Sequence, residues 1–427
     1  MTTTQLALND SKQAFGEAAN TFLPFSAPWF GPEEKQEILQ VLDSDWITTG
    51  PRTRAFEEAF REYIGSKEAV AVNSCTAALH LALSVLGVGV GDAVLTSPLT
   101  FAATANVIVH QGAQPIFVDI RPDTYNLDPE KLRNFIEHEC SWDPSKQILR
   151  VKGCQRRVRT IIAVHYGGHP VDMEEIVSLA RRFQLSVVED AAHALGASYR
   201  STKVGALGDM ACFSFYPTKN ISTGEGGMLT TNDAALAQRA RILTLHGISR
   251  DAWKRYGKDG SWRYDVEEAG YKYNMTDLAA ALGIHQLKKL ELFKARRAEL
   301  AALYTKELAD LPLQLPTVLP DVQSAWHLYP VQILADGFSR DEVIETLRKL
   351  NIGTSVHFIP LHLMTFYQKT FGYKLGDFPV AEKVFDRILS LPFFPRMQND
   401  DAVRVVRNLR QIFGLAHLSR TAHAGEK

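Results

Sequence analysis

Three short stretches hold residues whose side chains could do chemistry. In FSFYPTKNISTGEGG, residues 213–227, Lys219 stands alone between an aromatic run and a tail of Gly, Ser and Thr. A lysine so placed can hold a phosphate, cap a helix or act as a nucleophile. In an apolar crevice desolvation lowers its pKa and frees the lone pair for attack on a carbonyl. In VVEDAAHALGA, residues 187–197, Asp190 ends a strongly apolar run, where a carboxylate needs a cation or hydrogen-bond donors. It reads equally as a helix N-cap, one arm of a salt bridge, or the partner of a cationic ring nitrogen. In NSCTAAL, residues 73–79, small and hydroxyl-bearing residues at a strand-to-helix turn leave backbone N–H groups open to an anion, and they read also as an ordinary N-cap by Ser74 or Thr76.

No GxxxxGK[ST] loop and no GxGxxG turn after the first strand occurs, so neither an ATPase nor a dinucleotide oxidoreductase gains direct support. Taken together, an anion cradle, an acid ending an apolar strand and a crevice lysine suit one ligand with a phosphate, a protonatable ring nitrogen and an aldehyde. Pyridoxal phosphate has all three.

The elements that must position these residues follow from the hydrophobic pattern. From residue 68, short β-branched runs (EAVAV, DAVLTSP, QPIFVDI, TIIAVHY, LSVVED, DMACFSF, GGMLTT) alternate at first with helical stretches such as residues 77–86, FAATANVIVHQG and MEEIVSLARRFQ, which predicts a mainly parallel sheet between helices. The loops leaving those strands carry NSCTA, Phe101, EDAAHA and SFYPTK, so all face one crevice beyond the strands' carboxyl ends. Residues 137–157 lack a period and read as a surface excursion, and residues 250–273 as a partly ordered loop near an interface. A long helical stretch from Met275 then connects to a remainder of mixed strands and helices, including the Ser339-capped RDEVIETLRKL. The expected division is a large α/β domain over 1–285, with 1–24 a poorly ordered lead-in, and a connecting helix plus small α+β domain over 286–427.

Composition narrows the partners. The 427 residues carry 47 Lys and Arg against 48 Asp and Glu, a formal charge of −1, which offers no footprint for nucleic acid or an anionic membrane. Cys75, Cys140, Cys154 and Cys212 form no CxxC pair and read as free thiols of a reducing compartment, with no metal site. The start lacks a signal-peptide pattern and the uncharged stretch 69–90 is broken by Asn73, Ser74, Thr76 and His80, so a cytoplasmic protein without a membrane span is expected.

The stretches NSCTAALHLAL, TFAATANVI, VVEDAAHALGA, FSFYPTKNISTGEGGM and YKYNMTDLAAALGIHQL, in this order, resemble the DegT/DnrJ/StrS sugar aminotransferases, from about residue 25 to 413. The resemblance implies a fold type I PLP-dependent transferase with a mainly parallel seven-stranded sheet. It implies that Lys219 joins the cofactor's aldehyde and shuttles protons, and that Asp190 keeps the pyridine nitrogen protonated. It places Phe101 where an aromatic stacks on the ring and His193 where a side chain reaches the phenolic oxygen. Cys75 and Thr76 fall in the phosphate-binding turn, where the family usually has Gly-Thr or Ala-Thr, and Ser214 matches a further phosphate ligand. Asn274 matches a residue that contacts the phosphate from the neighbouring subunit, which implies a homodimer with shared sites, although it reads also as a helix N-cap. WITTGP, VHYGGHPVDM, AWHLYPVQI and IGTSVHFIPLH look like the UDP-4-amino-4-deoxy-L-arabinose aminotransferase branch, and His327, His357 and His362 would then line the sugar pocket. The implied reaction moves an amino group from glutamate to a nucleotide-linked keto-sugar, a 4-keto sugar on UDP or dTDP. The rivals are a cyclitol aminotransferase using glutamine, a dehydratase of the same fold, which typically replaces the lysine by histidine, and a non-catalytic PLP-binding regulator.

Overall fold

The computed structural model describes residues 21–248 and 264–423. Two helices come first, α1 (Pro32–Asp43) and α2 (Pro51–Ile64), each with Pro at its start, where the missing N–H costs no hydrogen bond. The Asp277 carboxylate closes the start of α2, accepting from the amides of Gly50 at 2.8 Å and Thr53 at 2.9 Å.

The alternation read from the sequence then appears as β1 (Glu68–Val72), α3 (Cys75–Val85), β2 (Asp92–Thr96), α4 (Ala102–His110), β3 (Gln114–Phe117) and α5 (Pro129–Glu139). The stretch expected as a surface excursion is instead a hairpin, β4 (Cys140–Asp143) and β5 (Ile148–Val151), paired to the first residues of the next strand. Cys140, Leu149 and Val151 bury their side chains, and that half-apolar face was too short to show a period. After it come β6 (Arg157–Val164), α6 (Met173–Arg182), β7 (Ser186–Asp190), the short β8 (Ser198–Tyr199) and β9 (Thr202–Lys203), β10 (Met210–Ser214), β11 (Gly227–Thr231) and α7 (Ala234–Leu243).

The central sheet runs β1-β11-β10-β7-β6-β2-β3, the seven expected strands, and the hairpin brings it to nine. On that path β11 alone is antiparallel to its neighbours. Helix α3 is buried along most of its length against β10, β11 and α4, which is why its sequence is apolar all round. The ends of β1, β7 and β10 therefore point the same way, with the start of β11 beside them.

Residues 250–263 of the irregular stretch lie outside the described residues, as do 1–20. Residues 264–273 fold back on the chain before them, Tyr271 donating to the Leu243 carbonyl at 2.7 Å. Helix α8 (Asp277–Lys288) continues past residue 285, packing on α1 and α2, and the chain bends at Lys289 into α9 (Leu290–Leu308). There Leu300, Tyr304 and Leu308 enter a second core, built with the antiparallel strands β12 (Leu313–Gln314), β14 (Pro330–Ile333) and β15 (Ile388–Ser390) and the helices α10 (Arg340–Lys349) and α13 (Asn399–His423). Between them β13 (Val322–Gln323) pairs with β8, and α11 (Thr365–Phe371) and α12 (Pro379–Arg387) cover the edge of β3 and β14. Leu23 bridges to Ile352 and is buried in that second core.

Candidate active site

Lys219 follows β10 on a turn closed by its own amide, which donates to the Tyr216 carbonyl at 2.9 Å. The next residue, Asn220, is buried and donates Nδ2 to the carbonyls of Leu195 at 3.2 Å and Ala325 at 2.9 Å. The Thr223 amide returns to the Phe215 carbonyl at 2.9 Å. The turn is thus pinned to the sheet and to a segment from each side of it. Burial lowers the Lys219 ammonium to about 8, against the pull of Cys75 and Asp190 nearby.

Asp190 is the last residue of β7 and is buried. Burial pushes its carboxyl above the usual range; the Thr104 hydroxyl, donating to Oδ2 at 2.7 Å, and the Ala192 amide, donating to Oδ1 at 3.2 Å, hold it down only in part. Thr104 is a residue that sequence reasoning missed, although its place one turn beyond Phe101 on α4 signals it. Phe101 caps α4 without a side-chain bond and is 63% exposed, its ring tilted against Phe358 with centroids 6.0 Å apart. The neighbouring Glu189 points to the other face of the sheet, where it takes the Nε2 of His165 at 3.1 Å and the amides of Gly205, Leu207 and Gly208.

At the end of β1, Ser74 is the N-cap of α3, accepting from the Ala77 amide at 3.1 Å. The cap leaves the amides of Cys75 and Thr76 with no acceptor inside the helix, and the dipole of α3 favours an anion in front of them. Cys75 is buried with Sγ 3.5 Å from the Cys212 carbonyl, and burial raises its thiol. Gly227 makes this approach of helix to sheet feasible: a Cβ there would lie 2.5 Å from the Ser74 carbonyl carbon and 2.6 Å from the Cys75 nitrogen. In the ladder Gly227 stands opposite Val72 and Ser214, so Ser214 ends beside the same turn. Asn274 bridges to Val72 of its own chain and donates to the Thr49 hydroxyl at 2.7 Å. Its reading as a helix N-cap is corrected: Thr276 caps α8, being the residue whose hydroxyl reaches the third amide.

His193, just beyond Asp190, accepts the Gly167 amide on Nδ1 at 3.2 Å, so its proton is on Nε2. The His327 ring lies 4.3 Å from it and the His357 ring 6.4 Å. Burial, with Lys219 nearby, holds His193 and His327 well below their ordinary value and takes His357 to about 3. Gly168, with φ +94°, lets the chains close up here, since a Cβ would meet the His327 nitrogen at 2.9 Å and the His193 carbonyl at 3.0 Å. The third expected pocket histidine is elsewhere: His362 is fully buried with Nε2 on Glu382 at 2.7 Å and its ring against Phe378. Phe358 was not singled out from the sequence, yet its ring stacks 5.8 Å from His193.

One crevice thus gathers an amine that is partly free base near neutrality, a buried carboxylate in no salt bridge among the described residues, two open helix amides and neutral imidazoles. That set can attack a carbonyl, hold a protonated ring nitrogen and seat a phosphate.

Residues 29–410 match the DegT/DnrJ/EryC1/StrS aminotransferase family. A protein of Methanocaldococcus jannaschii, described as uncharacterised, is 53% identical over 92% of this chain and 98% of its own. The spore coat polysaccharide biosynthesis protein SpsC of Bacillus subtilis is 48% identical over 92% of this chain and 97% of its own. Among solved structures, a Streptococcus pneumoniae sugar aminotransferase in its PLP-form superposes with a TM-score of 0.81 at 30% identity, covering 92% of this chain and 99% of that one; it is known also in a PMP-form.

Proposed function

We propose, for a chain that belongs to the DegT/DnrJ/EryC1/StrS aminotransferase family, that it moves the amino group of glutamate to a nucleotide-linked keto-sugar, a 4-keto sugar on UDP or dTDP. Family and neighbours make it a PLP-dependent sugar aminotransferase; donor, carrier and carbon are the proposal. The observation that carries the chemistry is Lys219, a lysine lowered to about 8 on a pinned turn beside the buried Asp190. The sugar reading is supported by the polysaccharide role in the name of the B. subtilis relative, and the nucleotide and 4-keto reading by the motif resemblance around WITTGP and IGTSVHFIPLH.

The residues fit the cofactor. Asp190, in no salt bridge among the described residues though Lys219 is nearby, would take a protonated ring nitrogen; the amides of Cys75 and Thr76, with Ser214, would take the phosphate. Phe101 would cover the ring, and His193, whose free proton is on Nε2, would donate to its oxygen. Bound pyridoxal phosphate supplies an aldehyde that accepts an amino group and a ring that stores the electron pair of a broken C–H bond.

The protein's own work is to hold and move protons. Near neutrality a fraction of Lys219 is unprotonated, so Nζ can attack a carbonyl and, once displaced by the donor's amine, lift a proton from the donor's α-carbon and return it to the carbon on the far side of the amino nitrogen. The same Nζ runs this transfer backwards for the sugar. Burial raises the Asp190 carboxyl, so a cation facing it favours its charged form. Neutral His327 and His357 wall the crevice without adding charge. We place the enzyme in the cytoplasm as a homodimer in which Asn274 of one subunit serves the other's site; no helix among the described residues is long and apolar enough to cross a membrane. The test is to mix protein, pyridoxal phosphate, glutamate and a panel of nucleotide-linked keto-sugars: 2-oxoglutarate and a sugar nucleotide bearing the new amine are expected, and absence of both across the panel sinks the assignment.

A further inference from the structure

Arg297, on α9, is 1% exposed, and among the described residues no carboxylate pairs with it. A buried guanidinium without a counter-ion is costly, so what it holds must matter. Its Nη1 donates to three backbone carbonyls, Trp326 at 3.2 Å, His327 at 3.1 Å and Phe393 at 3.0 Å, while its Nε is buried without a partner. Burial lowers it to about 9. The turn it grips is strained: Trp326 has φ +47°, a region that bulky residues avoid. From that turn the His327 amide reaches back to the Gly167 carbonyl at 3.0 Å, and the Gly167 amide holds His193 Nδ1 at 3.2 Å.

We infer that Arg297 is a positioning residue: from the helix joining the two parts of the molecule it fixes the Trp326–His327 turn and, through it, the His327–His193 ring pair beside Lys219. All three bonds leave one terminal nitrogen, Nη1; a lysine ammonium, one bond shorter, does not reach that point between two segments, and a neutral glutamine is shorter still. The charged and titratable groups facing His327 are Lys219, His193, His357 and Arg297 itself; Tyr166 flanks His193 from the other side. All of the charges among them are positive, so they join burial in keeping the imidazoles neutral, and the hydrogen-bonded turn is left to hold the rings in place.

The inference rests on Lys219 as the cofactor-linked residue, and its test separates the two. The readout is the pH midpoint of the visible band of the PLP-loaded protein. Arg297→Lys keeps the charge and loses the reach of Nη1; it is expected to move the midpoint by about half a unit or more, and to add nothing when combined with His327→Ala, because both act through one ring pair. An unmoved midpoint with only a lower Tm, or shifts that add, would make Arg297 a structural anchor and overturn the inference. Arg297→Gln, with two donors and no charge, is the second variant judged by the same cycle. Failure of both to fold with bound cofactor overturns it too, since it would show a role in folding alone. A wild-type protein without a pH-dependent band refutes the Lys219 reading instead, and this inference with it.

Discussion

At Lys219 burial outweighs attraction. Asp190 and Cys75 pull its pKa up, yet removal from water sets it at about 8, close enough to neutrality for a working fraction of free amine. The same burial sets the histidines, and its sign gives a prediction. His193, His327 and His357 are held below 6.5 in the folded state, so between pH 6.5 and, for His357, about 3 the unfolded chain binds more protons. Stability present above 6.5 is therefore lost on acidification, at about 1.4 kcal/mol per pH unit for each such histidine. Asp190, raised by burial, acts the other way while its site lacks a cation. Urea midpoints of the cofactor-free protein should fall between pH 7 and 5, and His357→Gln should flatten that fall; a flat profile in the parent would refute the buried neutral imidazoles.

At the scale of elements, the site exists because α3 can sit on the sheet at Gly227. Gly227→Ala drives a Cβ into the Ser74–Cys75 backbone, and we expect a loss of about 1–3 kcal/mol of stability together with weakened retention of pyridoxal phosphate. Normal retention at normal stability would mean the helix turn is not the phosphate seat. The strands that carry Asp190 and Lys219 were legible as β-branched runs with a polar residue at the end, and the order of those ends was enough to bring Cys75, Thr76, Asp190, His193, Ser214 and Lys219 to one crevice. What was not legible depends on contacts distant in sequence. Thr104 matters because α4 crosses the end of β7; Arg297 and Phe358 matter because the second core folds against the first. His362 looked like its two companions, and only its bond to Glu382 separates it. The β4–β5 hairpin escaped because four-residue strands leave no measurable alternation.

Across the whole molecule, the near-neutral charge means that the proposed self-association would rest on apolar contact, and Phe101, Leu39 and Ile47 are exposed by 52% or more. In the single chain Asn274 lies beside Val72 of the same subunit, so whether it serves its own site or a partner's is a question about the proposed dimer. Mixing Lys219→Ala with Asn274→Ala subunits decides it: sharing predicts recovery of roughly a quarter of parental activity, since half the dimers then hold one intact site, whereas no recovery places Asn274 in its own subunit's site. The claim on which every scale depends is that Lys219 forms the covalent link to pyridoxal phosphate. Borohydride reduction of the cofactor-loaded protein, followed by peptide mass analysis, tests it directly: the account predicts the reduced cofactor on the peptide containing Lys219 and none in Lys219→Ala, whereas a label on another lysine, or one that survives the substitution, would contradict it.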